Sequence, residues 1–518
     1  MLESDAVGAS DLAGTRVLST GPWSSATSIR FILPLSVATG SYAQRRNVAV
    51  ASPLPGRTSP LWRPFPLPVE DLMPHVARYL NGPGGDASTA TILSADVNEL
   101  AWLTGGTEGV ITIRLRGNRE LPFRMVGAHL LLFALDIMML VIDVRPEREA
   151  DTDAWFDLIH YGRFFAGTRS RPIILTRPRG RAAKAALGVL RAWAPDVATA
   201  PSDDAEGAEL LRLNDMAPLL EVLLQTVSVG GERADIRASS GAETAADQFR
   251  QLNIPGQMLV YSVMFLDLED RDGSSDQVQA LLERTVGQHH SGRQIDAGPR
   301  LAHTDPVFPY RNLQWLYASS EGGGFLSLRG NTSDFDRTIL PAHLRSEYFL
   351  AYCFATFQRF ALLRLSDEVA ERALDRTRPF GDTQRRVLEF TGRCMFVQIA
   401  QSQHHHAWYS HVQRQQQVAE LHQEVREEVS AFLEFQQTRS AEIRERRSRA
   451  TEALVAVITG TVVPVQFVAA LFPDKVKDWP YLRAISINVQ AYGALLLVVA
   501  LIVVTYVALR RAGRETPD

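Results

Sequence analysis

Cysteine is scarce in this chain: 518 residues contain two, Cys353 and Cys394. Both lie in apolar, helix-like surroundings, so they read as buried free thiols rather than a disulfide or a metal pair. A basic excess is missing too, with 54 Lys and Arg against 58 Asp and Glu. A dedicated nucleic-acid binder carries such an excess, so nucleic acid is not an expected partner. No phosphate loop, no His-Glu-x-x-His pair and no Gly-x-Ser-x-Gly elbow occurs, so no enzyme class and no catalytic residue is named. The start, Met1-Leu-Glu-Ser-Asp5, is acidic and lacks the basic and apolar regions of a signal peptide. The N-terminal part is therefore expected to stay in the cytosol.

Charge vanishes in two places. Residues 453–472 run for twenty positions without a charge, and residues 484–509 for twenty-six. About twenty apolar residues in a helix span a bilayer core, and the second run is apolar all round. Both are expected to be transmembrane helices. Arg439, Arg444, Arg446, Arg447 and Arg449 precede the first; Arg510, Arg511 and Arg514 follow the second. The loop at 473–483 has only Lys475, Lys477 and Arg483. Basic residues collect on the cytoplasmic side. The expectation is a two-pass protein of the plasma (inner) membrane, with both termini cytoplasmic and the lipid bilayer as a partner.

Ahead of these runs the chain divides by composition. Residues 1–27 read as a flexible N-terminus, 28–229 as a cytoplasmic α/β region and 230–246 as a linker rich in Gly, Ser and Ala. Residues 247–340 read as a second α/β segment of the same domain, and 341–452 as a helical stalk. Strands are expected at 29–33, 110–115 and 172–176, and helices at 155–165 and 182–193. The apolar run at 130–144 reads as two adjacent buried strands that turn near Asp136. Further on, 257–268 is strand-like and 275–286 helical, and a hairpin is expected around Glu321-Gly-Gly-Gly324. From 383 to 472 there is no proline before Pro464, and glycine occurs only at Gly392 and Gly460. One helix on the order of 130 Å follows, with 402–406 the place for a bend. Val418, Leu421, Val425, Phe432 and Phe435 form a seam of coiled-coil type on it, interrupted by Glu428.

Glu452, Thr459 and Gln466 are seven residues apart, about two helical turns, and so share a face. Polar groups in a membrane helix face a bundle interior or a water-filled path. Pore lining is one reading of this face, and helix-to-helix packing through polar contacts is the other. Pro464 leaves a carbonyl of the preceding turn unpaired.

The arrangement resembles the CorA-type divalent-cation channel family. Val462-Val-Pro-Val-Gln-Phe-Val-Ala-Ala-Leu-Phe472 is similar to the run that closes the family's first span, Thr459 to a threonine upstream of its proline, and Arg510-Arg511 to its basic tail. The resemblance covers roughly residues 420–518. It implies an ion channel or transporter, a homo-oligomer that is a pentamer in the family, and Mg2+ or another divalent cation as transported or regulatory ion. The family's outer-mouth Gly-Met-Asn is replaced by Pro473-Asp474-Lys475, which sets Lys475, beside Asp474, where the cation is held. A ring of lysines repels a dication. The identity of the ion is therefore left open.

Other groupings are weaker. The segment from Asp267 to Gly273 fails the calcium-loop spacing. His404-His405-His406 and His289-His290 point in different directions on a helix. Asp143, Glu147, Glu149, Asp151, Asp153 and Asp157 could hold a regulatory cation or form a solvated loop. The resulting fold class is an α/β cytoplasmic region plus a long α-helical stalk and two transmembrane helices. Two functions remain open. One is a divergent CorA-like channel. The other is an anchored sensor whose α/β domain binds a ligand or partner and signals through the stalk.

Overall fold

The structure is a computed structural model. It describes residues 17–18, 26–37, 42–65, 72–74, 76, 90–105, 109–178, 180–193, 208–229, 234–236, 249–268, 275–293, 306–328, 333–374 and 381–471. The chain forms two compact units, residues 1–426 and 427–518.

The first unit is built on a thirteen-stranded mixed sheet. Its strands are β2 (Ser28–Val37), β3 (Trp62–Pro64), β4 (Ala90–Ala95), β5 (Val110–Arg114), β6 (Glu120–Phe133), β7 (Ile137–Pro146), β8 (Ile173–Pro178), β9 (Ala208–Leu213), β10 (Phe249–Gln251), β11 (Leu259–Phe265), β13 (Val307–Arg311), β14 (Gln314–Ala318) and β15 (Gly322–Ser327). A separate short ladder pairs β1 (Val17–Leu18) with β12 (Asp267–Leu268). The main order is β13-β14-β15-β11-β2-β7-β6-β5-β8-β9, with β10 on β2 and β4 bridging β3 to β6. Among the described strands only β11 and β15 pair in parallel; the other ladders are antiparallel. The two α/β segments expected on either side of a linker thus share one sheet, joined where β11 pairs with β2.

The apolar run at 130–144 is the antiparallel hairpin of β6 and β7. It lacks polar alternation because the sheet is covered on both faces. Leu130, Leu132, Met138, Leu140, Ile142 and Val144 enter one core with Trp155, Phe156 and Ile159 of helix α3 (Thr152–Gly162) and Leu219 and Leu223 of helix α5 (Ala217–Gln225). The same layer holds α1 (Tyr42–Ala51), α2 (Val97–Thr104) and α4 (Arg181–Ala192), with α6 (Ser275–Val286) packed on β15. On the opposite face Phe133 stacks on Phe357 at 4.4 Å between centroids and meets Phe354 edge-on. Those rings belong to α8 (Glu347–Leu374), which follows α7 (Leu340–Arg345) after a break at Ser346.

The hairpin expected around Glu321-Gly-Gly-Gly324 is the antiparallel pair β14–β15, and Gly322–Gly324 lie in strand β15. A Cβ on Gly323 would stand 2.8 Å from the ring of Tyr352, and one on Gly324 (φ 154°) would stand 1.9 Å from the Ser262 carbonyl. They are glycines because α8 and β11 come too close for a side chain.

The single long helix expected from 383 onward is three. These are α9 (Gly381–Arg393), α10 (Gln403–Gln415) and α11 (Val418–Leu471). Gln417 has a left-handed backbone, φ 55°, which ends α10 and starts α11 in a new direction. Buried polar groups hold the fold-back: Gln358 on α8 accepts from Tyr409 at 2.9 Å and from Gln413 at 2.8 Å, and donates to the Cys394 carbonyl at 2.6 Å. Of the expected seam, Val418 and Val425 are buried, whereas Phe435 is exposed.

The expected membrane architecture is corrected. Among the described residues no helix is long and apolar enough to cross a membrane. Residues 453–471 form the end of α11, most of which is dense in Glu and Arg, and residues 484–509 lie outside the described residues. The two-span module, the CorA-like architecture and the two-pass plasma-membrane placement therefore have no support. The fold is a large, mostly antiparallel sheet with helices on both faces.

The β6–β7 turn is gripped from three helices. Leu135 and Asp136 both adopt left-handed backbones, φ 61° and 60°. Asp136 pairs with Arg45 of α1 at 2.6 Å, Arg386 of α9 at 3.1 Å and Arg364 of α8 at 3.6 Å. Arg364 also donates to the carbonyls of Leu135 and Asp136 at 3.2 and 3.0 Å. Glu368 completes the network on Arg386 at 3.3 Å. Removing one partner of a buried ion pair costs about 3–5 kcal/mol; Asp136 is 30% exposed, which reduces that figure. Asp136→Asn should lose about 2 kcal/mol in urea unfolding; a loss under about 0.5 kcal/mol would show that the grip is not needed.

Candidate functional site

Three side chains on neighbouring strands form a charged row on the α8 face of the sheet. Arg30 on β2 and Asp143 on β7 are paired in register, and His129 stands two positions along on β6. Arg30 Nε lies 2.9 Å from Asp143 Oδ1, and His129 Nε2 lies 3.5 Å from Oδ2. A bulge between Met125 and Gly127 brings Gly127 opposite Asp143, where an added Cβ would stand 3.5 Å from the carboxylate. Asp143 is half-buried, its side chain 21% exposed, and this desolvation opposes ionisation, but Arg30 and His129 outweigh it and lower its pKa to about 2.

Above this row the turn from α7 to α8 leaves a cavity of about 80 Å³. Arg30, His129 and Arg345 bring polar groups to it, while Phe65, Ile92, Leu131, Phe349 and Leu350 supply apolar walls. Arg345 ends α7, and Ser346 (φ −107°, ψ −89°) turns the chain so that both line the cavity. Arg30 lies 4.2 Å over the ring of Phe349 and donates to the Arg345 carbonyl at 2.6 Å. Arg345 donates to the Ala26 carbonyl at 2.7 Å. Burial lowers the Arg345 pKa, and Arg145 and Arg30 lower it further against the opposing pull of Asp143. Two guanidinium groups thus line the cavity, and the Asp143 carboxylate beneath it is engaged by Arg30. A small anion with an apolar stem meets both kinds of wall.

The residues singled out from sequence lie elsewhere. Glu452 is exposed on α11 beside Ser448, whose hydroxyl lies 3.2 Å away, and Thr459 is exposed on the same helix. The side chain of Gln466, and Asp474 and Lys475 entirely, lie outside the description. Among the described residues no site is assembled around Glu452 and Thr459. Most of the acidic stretch is taken up structurally: Asp143 as above, Glu147 by Arg124, Glu149 by Arg145, Asp157 by Arg119, and Asp151 as the cap of α3. Among the described residues no group of three or more His, Cys, Asp or Glu is placed to hold a metal. Both cysteines are free and buried, and burial raises the Cys353 pKa far above the usual thiol range.

Sequence reading missed Arg30, His129 and Arg345. Two signals were present: Arg30 interrupts the apolar strand at 29–33, and Asp143 interrupts the apolar run at 130–144. A charge inside a two-face-buried strand needs a partner. Arg345 gave no such signal, being 315 positions from Arg30. The chain matches no family model, no curated protein and no solved structure.

The Asp143 pair sets a pH dependence. A carboxylate with a lowered folded pKa stabilises the fold above its unfolded pKa, and that contribution is lost as pH falls through the folded value. For Asp143 the window runs from about 4 down to about 2. Asp143→Asn should cost about 2 kcal/mol at pH 7, because Arg30 loses its counter-charge while keeping its bond to the Arg345 carbonyl, and the pair is partly exposed. The variant should also lose stability less steeply than the parent between pH 4 and 2. Parallel pH profiles in urea unfolding would contradict the assignment.

Proposed function

We propose that this protein is a sensor whose first unit binds a small carboxylate carrying a short apolar chain. The observation that carries the reading is that two guanidinium groups, Arg30 and Arg345, and no carboxylate line a mostly apolar cavity; beside it Asp143 pairs with Arg30 and Glu347 with His343. A cavity near 150 Å³ takes a benzene ring, so one of about 80 Å³ suits a chain of a few carbons. The carboxylate sits towards Arg345, and the chain lies along Leu131, Phe349 and Leu350. Arg30 is already engaged by Asp143 and serves to fix the local charge.

The output follows from the path of α8. Its first turn lines the cavity through Phe349 and Leu350, and four turns on it grips the β6–β7 turn through Arg364. Its far face packs on α10, which leads through Gln417 into α11. A shift of α8 on binding thus changes the layer from which α11 begins. The channel expectation depended on a two-span module and is not carried forward.

Calorimetry with straight-chain carboxylates from acetate to octanoate tests the binding. One length should bind best, and Arg345→Gln should weaken it roughly 10- to 100-fold, the loss of a charge-assisted hydrogen bond worth about 1.5–3 kcal/mol. Equal affinity in parent and variant, or no binding by any member, would overturn the reading.

A further inference from the structure

The second unit carries a surface that the sensor reading does not use. Every residue of α11 from 434 to 453 is exposed. Twenty residues make about 30 Å of helix, and helices gain most of their stability from a packed face. Apolar side chains nevertheless lie on this stretch: Phe435 is 62% exposed, Ile443 43% and, just beyond it, Val455 55%. Phe432, Ile443 and Leu454 recur every eleven residues, three turns of a nearly straight helix, so they fall on one stripe.

Charge is distributed unevenly along the same segment. Residues 427–434 contain Glu427, Glu428 and Glu434 and no base. Residues 439–449 contain five arginines, Arg439, Arg444, Arg446, Arg447 and Arg449, against Glu442 and Glu445, a net of three positive charges. Three negative charges are thus followed, one to two turns later, by three positive ones. A parallel copy would set like against like. An antiparallel copy sets acid against base at both ends and brings Ile443 of each helix near the Phe432–Phe435 turn of the other.

We infer that α11 pairs with a second copy of this chain, antiparallel and centred near Gln437. The apolar stripe supplies the contact, and the two opposite-charge blocks set direction and register, as flanking charges do in paired helices.

The full-length chain, with single added cysteines under oxidising conditions, tests direction and state together. Gln436→Cys lies on the stripe at the centre and should cross-link two copies. Ala450→Cys lies on the same stripe nearly four turns from the centre and should not. Reversing three exposed arginines (Arg444→Glu, Arg446→Glu, Arg447→Glu) should raise the dimer dissociation constant at least about tenfold, with less salt dependence. Adding Glu427→Lys, Glu428→Lys and Glu434→Lys to the same chain should restore pairing. A monomer at tens of micromolar in light scattering would overturn the proposal. So would cross-linking at Ala450→Cys as efficient as at Gln436→Cys, or failure of the compensating reversal.

Discussion

The grip of three arginines on the β6–β7 turn is the constraint on which the first unit depends. Leu135 in a left-handed backbone is unfavourable, costing about 1–2 kcal/mol. The turn persists because Arg364 and Arg386 hold its carbonyls and Arg45, Arg364 and Arg386 hold its carboxylate. Those arginines come from α1, α8 and α9. A single aspartate therefore fixes the longest hairpin of the sheet, which supplies two of the three charged strands beneath the cavity, against the helices that cover it.

The cavity depends on the same helix. It forms where α7 stops at Arg345 and α8 restarts, and the restart is held by the stacking of Phe354 and Phe357 on Phe133 near the hairpin's end. Gly323 allows Tyr352 of α8 to lie directly on the sheet. Cavity, aromatic stack and arginine grip are thus three contacts along one helix of 28 residues. A displacement at its N-terminal end is resisted or relayed by the other two.

Much of this was legible in the sequence, and the reasons it stopped are physical. The run at 130–144 gave two strands because thirteen apolar residues of fifteen, with Asp136 near the middle, suit a hairpin buried on both faces. The glycines at 322–324 marked the hairpin but read as its turn, since close approach of a tyrosine ring and a need for a turn leave the same trace in sequence. The long helix misled because its second break carries neither proline nor glycine: Gln417 takes the left-handed backbone there, whereas Gly392 does stand at the end of α9. Apolar length suggested two spans, and no described helix meets that requirement. The cavity was hidden because its residues lie on elements separated by hundreds of positions, and only the misplaced charges Arg30 and Asp143 pointed towards it.

The central claim is that α8 connects the cavity to the β6–β7 turn. Hydrogen exchange of the full chain, with and without the tightest-binding carboxylate, tests it most directly. The account expects slower exchange both at residues 346–350, beside the ligand, and at residues 134–137, which line no part of the cavity; protection confined to residues 346–350 would contradict it.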